Sequence, residues 1–301
     1  MGRTRTYDRA PSSLPLYVRA ALPAIPLLGW LPGVRHTGTG ATDLTLTRAG
    51  VRTDVAHLAD YADVCGFGLT GTLPATYPHL AVFGLHLALM TDAAFPFAPM
   101  GVVHVANSIT QHRPLTVAES LDVRVHAADL RAHPRGRLID LISTGTVDGE
   151  TVWEEVTTLL SRGRRDDDMA DPLPLGDVEP PSGKVRWRLP DDTGRRYAAV
   201  SGDHNPIHLY SLTARAFGFP RQIAHGMWTM ARCLAALEGR LCDAFTMQVT
   251  FRRPVLLPTT VHFGVRDEPD RTVFGVAATD DGSPHLVGLV SAGGRSSPGG
   301  S

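Results

Sequence analysis

Tyr197-Ala198-Ala199-Val200-Ser201-Gly202-Asp203, followed by Ile223-Ala224-His225-Gly226-Met227 and then by Val249-Thr250-Phe251-Arg252-Arg253-Pro254, decides the fold, because the same succession occurs a second time. Nearer the amino terminus, Tyr61-Ala62-Asp63-Val64-Cys65-Gly66-Phe67 is followed by Ala81-Val82-Phe83-Gly84-Leu85 and by Ile109-Thr110-Gln111-His112-Arg113-Pro114. The three pairs keep their order and lie 136, 142 and 140 residues apart. Self-similarity at a nearly constant spacing reads as two copies of one folding unit.

Between the copies the hydrophobic periodicity stops. Arg162, Arg164 and Arg165 run into Asp166, Asp167 and Asp168, and Pro172, Pro174, Pro180 and Pro181 follow. This is the composition of an extended, proline-stiffened connector. The expected organisation is a first copy over residues 1–161, a linker over 162–184, a second copy over 185–293 and a flexible tail over 294–301.

Each copy reads as α+β. Leu80 to Met90 and Met227 to Leu237 are apolar, free of proline and long enough for a buried helix. Later runs alternate: Val261, Phe263 and Val265 share one face, His262, Gly264 and Arg266 the other. Similar runs occur at Leu121 to Val125, Leu138 to Ser143, Thr151 to Leu160, Thr272 to Ala278 and His285 to Val290. A helix followed by several strands implies a bent antiparallel sheet packed around a central helix.

The copies differ where chemistry would sit. Asp203, Asn205 and His208 of the second copy face Phe67, Leu69 and Thr72 in the first, and the stretch from there to the shared glycine is six residues shorter in the first. The second copy is therefore expected to be active and the first to keep the scaffold.

Composition narrows the function classes. With 29 Lys+Arg against 30 Asp+Glu in 301 residues, the chain lacks the basic excess by which nucleic-acid-binding domains neutralise phosphates. The cysteines, Cys65, Cys233 and Cys242, are three and widely spaced, unlike a disulfide scaffold or a zinc site, which points to a reducing cytoplasm. Ala20 to Val34 is interrupted by Pro23, Pro26 and Pro32 and is too short to span a bilayer.

Ser201-Gly202-Asp203-His204-Asn205-Pro206-Ile207-His208 carries the chemistry. Five residues on a regular helix turn through about 500°, which leaves Asp203 and His208 about 140° apart. Pro206 breaks that geometry: it biases Asn205 away from the helical region and suits the first turn of a new helix. The resulting turn can bring a carboxylate and an imidazole over one substrate atom, a pair suited to moving protons. The alternative is structural, with Asp203 as a helix cap and His208 in an ordinary buried hydrogen bond. Ile223 to Met227 favour the first reading. They open a helix whose first N–H groups lack internal partners, and Gly226 lets a developing oxyanion approach its N–H.

The run Tyr197-x-x-Val200-Ser201-Gly202-Asp203-x-Asn205-Pro206-Ile207-His208, with Ala214 and then Ile223-Ala224-His225-Gly226-Met227, closely resembles the MaoC-like, or hydratase 2, family of (R)-specific enoyl-thioester hydratases. The resemblance covers residues 190–291, and more weakly the first half. Together with Thr76-Tyr77-Pro78, Ile109 to Pro114 and the linker, it is similar to actinobacterial 3-hydroxyacyl-thioester dehydratases of the HtdX type. It implies a tandem double hot-dog fold, each copy a bent antiparallel sheet wrapped around a helix. It implies Asp203 and His208 as the catalytic pair, Asn205 as their orienter, the Gly226 N–H as the thioester oxygen site and Ser201 as a support. His225, Met227, Tyr197, Phe219 and Arg252 are the expected substrate-binding residues. The substrate would be an acyl thioester carried on coenzyme A or on the phosphopantetheine of acyl carrier protein.

No metal or redox cofactor is expected, because the thioester itself is the electron sink and the spacing of His204, His208 and His225 matches no familiar ligand motif. Arg252 and Arg253 are candidates for coenzyme A phosphates or simply strand-flanking arginines. Phe217, Phe219, Met227 and Trp228 would line an acyl tunnel or pack the core. Phe67, Leu69 and Phe83 of the first copy are expected to line an acyl-chain volume. A thioesterase and a non-catalytic acyl-thioester binder are the competing functions, and a monomer of paired copies or a homodimer fits the tandem arrangement.

Overall fold

Glycine ends the same helix in both copies. Gly66 (φ 83°) and Gly202 (φ 73°) take the left-handed conformation and return their N–H groups to Ala62 and Ala198, closing α1 (Val55–Cys65) and α3 (Thr193–Ser201). The computed structural model describes residues 2–13, 15–17, 42–99, 101–163 and 172–293. Ala20 to Val34, Arg164 to Asp168 and the tail 294–301 lie outside them.

After β1 (Arg3–Thr6), the first copy runs β2 (Leu44–Arg52), α1, α2 (His79–Met90), β3 (Val102–Gln111), β4 (Ser120–His133), β5 (Gly136–Val147) and β6 (Glu150–Arg162). The second runs β7 (Val185–Leu189), α3, α4 (Pro206–Leu209), α5 (Ser211–Ala216), α6 (Gly226–Ala236), β8 (Phe245–Phe251), β9 (Thr259–Asp267), β10 (Arg271–Ala278) and β11 (Pro284–Ala292). One sheet holds all these strands in the order β1-β2-β4-β5-β6-β3-β8-β11-β10-β9-β7. From the middle outward, the strands of one copy mirror those of the other.

β3 and β8 join the copies as antiparallel neighbours, pairing Asn107 with Val249, Ser108 with Gln248 and Ile109 with Met247. Ser108 and Gln248 are 140 residues apart in the chain, so equivalent positions meet on a local two-fold axis. The helical faces meet as well: Trp228 Nε1 donates to Val64 O at 3.0 Å, and the Arg196 guanidinium reaches Asp63 at 2.8 Å. The apolar residues of both copies form one continuous core, from Leu46 and Val125 to Met230 and Val276. β4 shows the period that builds it, with Leu121, Val123, Val125 and Ala127 buried and Asp122 and Arg124 exposed.

The two copies differ in detail. Gly84 does not open its helix as Gly226 does; it lies in the second turn of α2, whose first residue is His79. The connection from α1 to α2 is accordingly only residues 66–78, against 202–225 in the second copy. Of the residues expected to line an acyl volume, Leu69 is 61% exposed and Phe67 stacks on Tyr61. Residues 172–184 of the linker lie packed along the sheet: Leu173 packs against Val105, Leu138 and Leu160, while Pro181 and Gly183 lie on the Gly264 backbone. That is why Gly264, expected on an open face of β9, is buried.

Candidate active site

The turn after α3 is fixed by its own polar side chains. Asp203 N–H donates to Ser201 Oγ at 3.1 Å, and Asn205 N–H donates to Asp203 Oδ1 at 3.1 Å. Pro206 then begins α4, with Asn205 as its cap accepting from Ile207 N–H at 3.4 Å. Asn205 thus holds the carboxylate through its backbone, and its side chain serves the helix. His208, one turn on, sends its Nδ1–H to Ile223 O at 2.8 Å. Because a carbonyl only accepts, the proton is on Nδ1 and Nε2 keeps its lone pair.

His225, the residue before α6, closes the site from the other side. Its Nε2–H donates to Asp203 O at 3.0 Å and its ring stacks on that of His208, centroids 3.7 Å apart. Its Nδ1 is buried without a hydrogen-bond partner among the described residues. One nitrogen of each ring and one oxygen of Asp203 lie within 4.8 Å of one another. A single water between two such atoms makes hydrogen bonds of about 2.8 Å to both. The same spacing suits a cation, as does that of His79, His86 and Glu155 in the first copy. His204, by contrast, is exposed and turned to Gly202 O at 3.0 Å.

Burial sets the protonation states. It pushes His208 below the ordinary histidine value and His225 down to about 3, so both are neutral bases near pH 7. Burial alone would raise the Asp203 carboxyl; the adjacent His225 and His208, the Tyr17 hydroxyl and the Asn205 N–H outweigh it and leave the group below the usual carboxylate range. An ionised carboxylate beside an unprotonated imidazole can activate water.

Gly226 is the first residue of α6, so its N–H has no partner within the helix. A Cβ there would stand 3.0 Å from the Phe251 ring, which leaves glycine as the residue that fits. Tyr197 is buried with its ring 4.9 Å from that of His225. Met227 is buried in the core, and Phe219 is half-buried in the turn after α5, where its N–H returns to Ala214 O. Phe217 is 37% exposed, and Trp228 is committed to Val64. Arg252 Nη2 donates to Leu175 O and Gly176 O at 2.5 and 2.8 Å, so its guanidinium holds the linker against the sheet.

In the first copy, the place of Gly226 at the helix start belongs to His79, whose Nδ1 hydrogen-bonds both oxygens of the fully buried Glu155 at 2.9 Å. Asn107 Nδ2 adds a further bond to Glu155 at 2.9 Å. A fixed carboxylate at the start of α2 satisfies the dipole internally. The sequence reading missed this pair and also Tyr17, whose hydroxyl donates to Asp203 Oδ1 across 186 positions of chain. No periodicity or local spacing signals a contact of that range.

Residues 178–284 match the MaoC like domain. The chain is 39% identical over 285 residues to 3-hydroxyacyl-thioester dehydratase X of Mycobacterium tuberculosis, an alignment covering 93% of this chain and 98% of that protein. The crystal structure of HtdX from the same organism superposes with a TM-score of 0.73 at 39% identity, over 82% of this chain and 99% of that one. A MaoC-like dehydratase from Phytophthora capsici shares the fold with a TM-score of 0.66 at 17% identity, over 85% and 97% of the two chains. The two mirrored hot-dog copies, the Asp203/His208 turn and the likeness over nearly the whole length place this chain in the MaoC-like dehydratase family.

Proposed function

We infer that this chain is a hydro-lyase of fatty-acid metabolism that interconverts trans-2-enoyl and (R)-3-hydroxyacyl thioesters. The observation that carries the reading is the ionised Asp203 carboxylate beside the neutral rings of His208 and His225, one carboxylate oxygen and one nitrogen of each ring within 4.8 Å of one another, with the Gly226 N–H opening α6 without a partner inside the helix. In hydration the pair orients one water. Its hydroxyl adds to the β-carbon as a new C–O bond forms, the enoyl π electrons move towards the thioester oxygen, and the Gly226 N–H stabilises that oxyanion. The proton released from the water is then delivered to the α-carbon, so water is consumed whole. Dehydration reverses each step: the α-proton leaves, the enolate forms against Gly226, and the departing hydroxyl is protonated.

The thioester acts as electron sink, and the reading needs neither metal nor redox cofactor. Coenzyme A and acyl carrier protein are both chemically suitable carriers. The free thiols Cys65, Cys233 and Cys242 fit a cytoplasmic setting, and no helix among the described residues is long and apolar enough to cross a membrane.

The test is incubation with trans-2-enoyl-CoA while enoyl absorbance and free thiol are followed together. Loss of absorbance without thiol is expected. Thiol release would establish a thioesterase, and neither signal would leave a binder.

A further inference from the structure

The segment before residue 18 belongs to the active site. Pro11 lies on the middle of α2, its carbonyl oxygen 2.9 Å from the point where a Cβ on Gly84 would stand. A side chain at position 84 would push the segment away. Leu16 packs against the common core, and the next residue, Tyr17, donates its hydroxyl to Asp203 Oδ1. Gly84 therefore seats a strap, anchored on the first copy, that carries Tyr17 to the carboxylate of the second.

The two oxygens of Asp203 are thereby made different. Oδ1 accepts from the Tyr17 hydroxyl and from the Asn205 N–H. Oδ2 stands 3.9 Å from His225 Nε2, beyond hydrogen-bond range, with no side-chain donor on it among the described residues. We propose that Tyr17 is a positioning residue for the reaction: its hydroxyl, delivered by the strap seated at Gly84, locks Asp203 so that Oδ2 faces the reacting water. This rests on the reading of Asp203 as the catalytic carboxylate. A hydrogen bond to the ionised form also holds the carboxyl acidic, in the direction found for Asp203. The other titratable groups around this carboxylate are His208, His225, Tyr197 and His104.

Tyr17→Phe removes one hydroxyl and keeps the ring. For the full-length protein with a trans-2-enoyl-CoA, kcat is expected to fall about ten- to hundredfold, in line with the loss of a charge-assisted hydrogen bond. KM should stay within about twofold. The acid limb of the kcat profile, a property of the coupled carboxylate and imidazoles, should move to higher pH because the ionised carboxylate has lost a donor. Gly84→Val displaces the strap by another route and should reproduce the kcat loss, with no further loss in the Tyr17→Phe, Gly84→Val double variant. A Tyr17→Phe enzyme with kcat within twofold of the parent overturns the proposal, as does a loss with the acid limb unmoved and KM raised to match. Asp203→Asn, measured alongside, separates the two readings. If it is inactive while Tyr17→Phe is normal, only the role of Tyr17 fails. If both are fully active, the catalytic reading of the site fails with it.

Discussion

The imidazoles of His208 and His225 lie one on the other, 3.7 Å between centroids, each anchored by one N–H on a backbone carbonyl. Two buried rings at that distance cannot both be charged, and burial holds His225 at about 3. His86 at about 3 and His104 at about 4, in the first copy, are held down by the same cause.

The folded protein should therefore lose stability in acid over a defined window. Below about pH 6.5 the unfolded chain takes up protons that the folded one refuses, so stability falls with pH until the folded values near 3 to 4 are reached. Each such histidine contributes a slope of up to about 1.4 kcal/mol per pH unit there and nothing above it. Thermal midpoints at pH 7.5, 6.5, 5.5 and 4.5 should be level between the first two and then decline steeply. An unchanged midpoint down to pH 4.5 would show that these rings can charge in place.

Asp203→Asn and His208→Ala should each reduce hydration by about 10²- to 10⁴-fold, the range for loss of a positioned acid–base group. Thermal midpoints should stay close to that of the parent in the asparagine variant, which keeps the shape of the turn. Because burial lowers His208 and its surroundings hold Asp203 low, the acid limb of hydratase activity in the parent should lie at lower pH than an ordinary imidazole would give. Near-normal turnover by Asp203→Asn would sink the mechanism.

Gly226→Ala places a methyl group 3.0 Å from the Phe251 ring and beside the N–H proposed to hold the oxyanion. A loss of about tenfold or more in kcat is expected if the N–H is displaced, up to the 10²- to 10³-fold typical of a missing donor. Adding Phe251→Leu should return part of the rate, because it relieves the crowding. Equal rates with and without the second substitution would show that crowding is not the cause.

Arg252→Met should cost about 1–3 kcal/mol in chemical denaturation, through loss of charged hydrogen bonds to Leu175 O and Gly176 O. Its KM for coenzyme A thioesters should be unchanged, since the guanidinium is engaged by the linker. A KM raised tenfold with stability intact would instead give Arg252 to the substrate.

Glu155→Ala leaves His79 Nδ1 and Asn107 Nδ2 buried without their carboxylate partner and should destabilise by about 1–3 kcal/mol or more. The turnover of the remaining folded enzyme should be that of the parent if the first copy serves only as scaffold. Loss of turnover in fully folded protein would tie the first copy to the chemistry.

What the sequence determined by itself was whatever repeats or is local. The recurrence of Tyr61 to Gly66 as Tyr197 to Gly202 is the recurrence of one helix and its glycine cap. The turn that brings Asp203 near His208 was legible locally, from Pro206 at the start of α4 and from polar side chains that bond to their own backbone. The apolar stretch beginning at Met227 marked the central helix and its exposed N–H groups. The tertiary structure decided what depends on which surfaces meet. Gly84 resembles Gly226 in its neighbours, yet its place in α2 is set by the packing of Pro11 and by the shorter connection before it. Arg252 has the composition of a phosphate ligand, but a linker whose carbonyls lie within 3 Å claims it first. The buried Glu155 carboxylate is satisfied only because the fold brings His79 Nδ1 and Asn107 Nδ2 to it from two other elements. Tyr17 and Asp203 are 186 residues apart, and only closure of both copies around one core brings a phenol to that carboxylate.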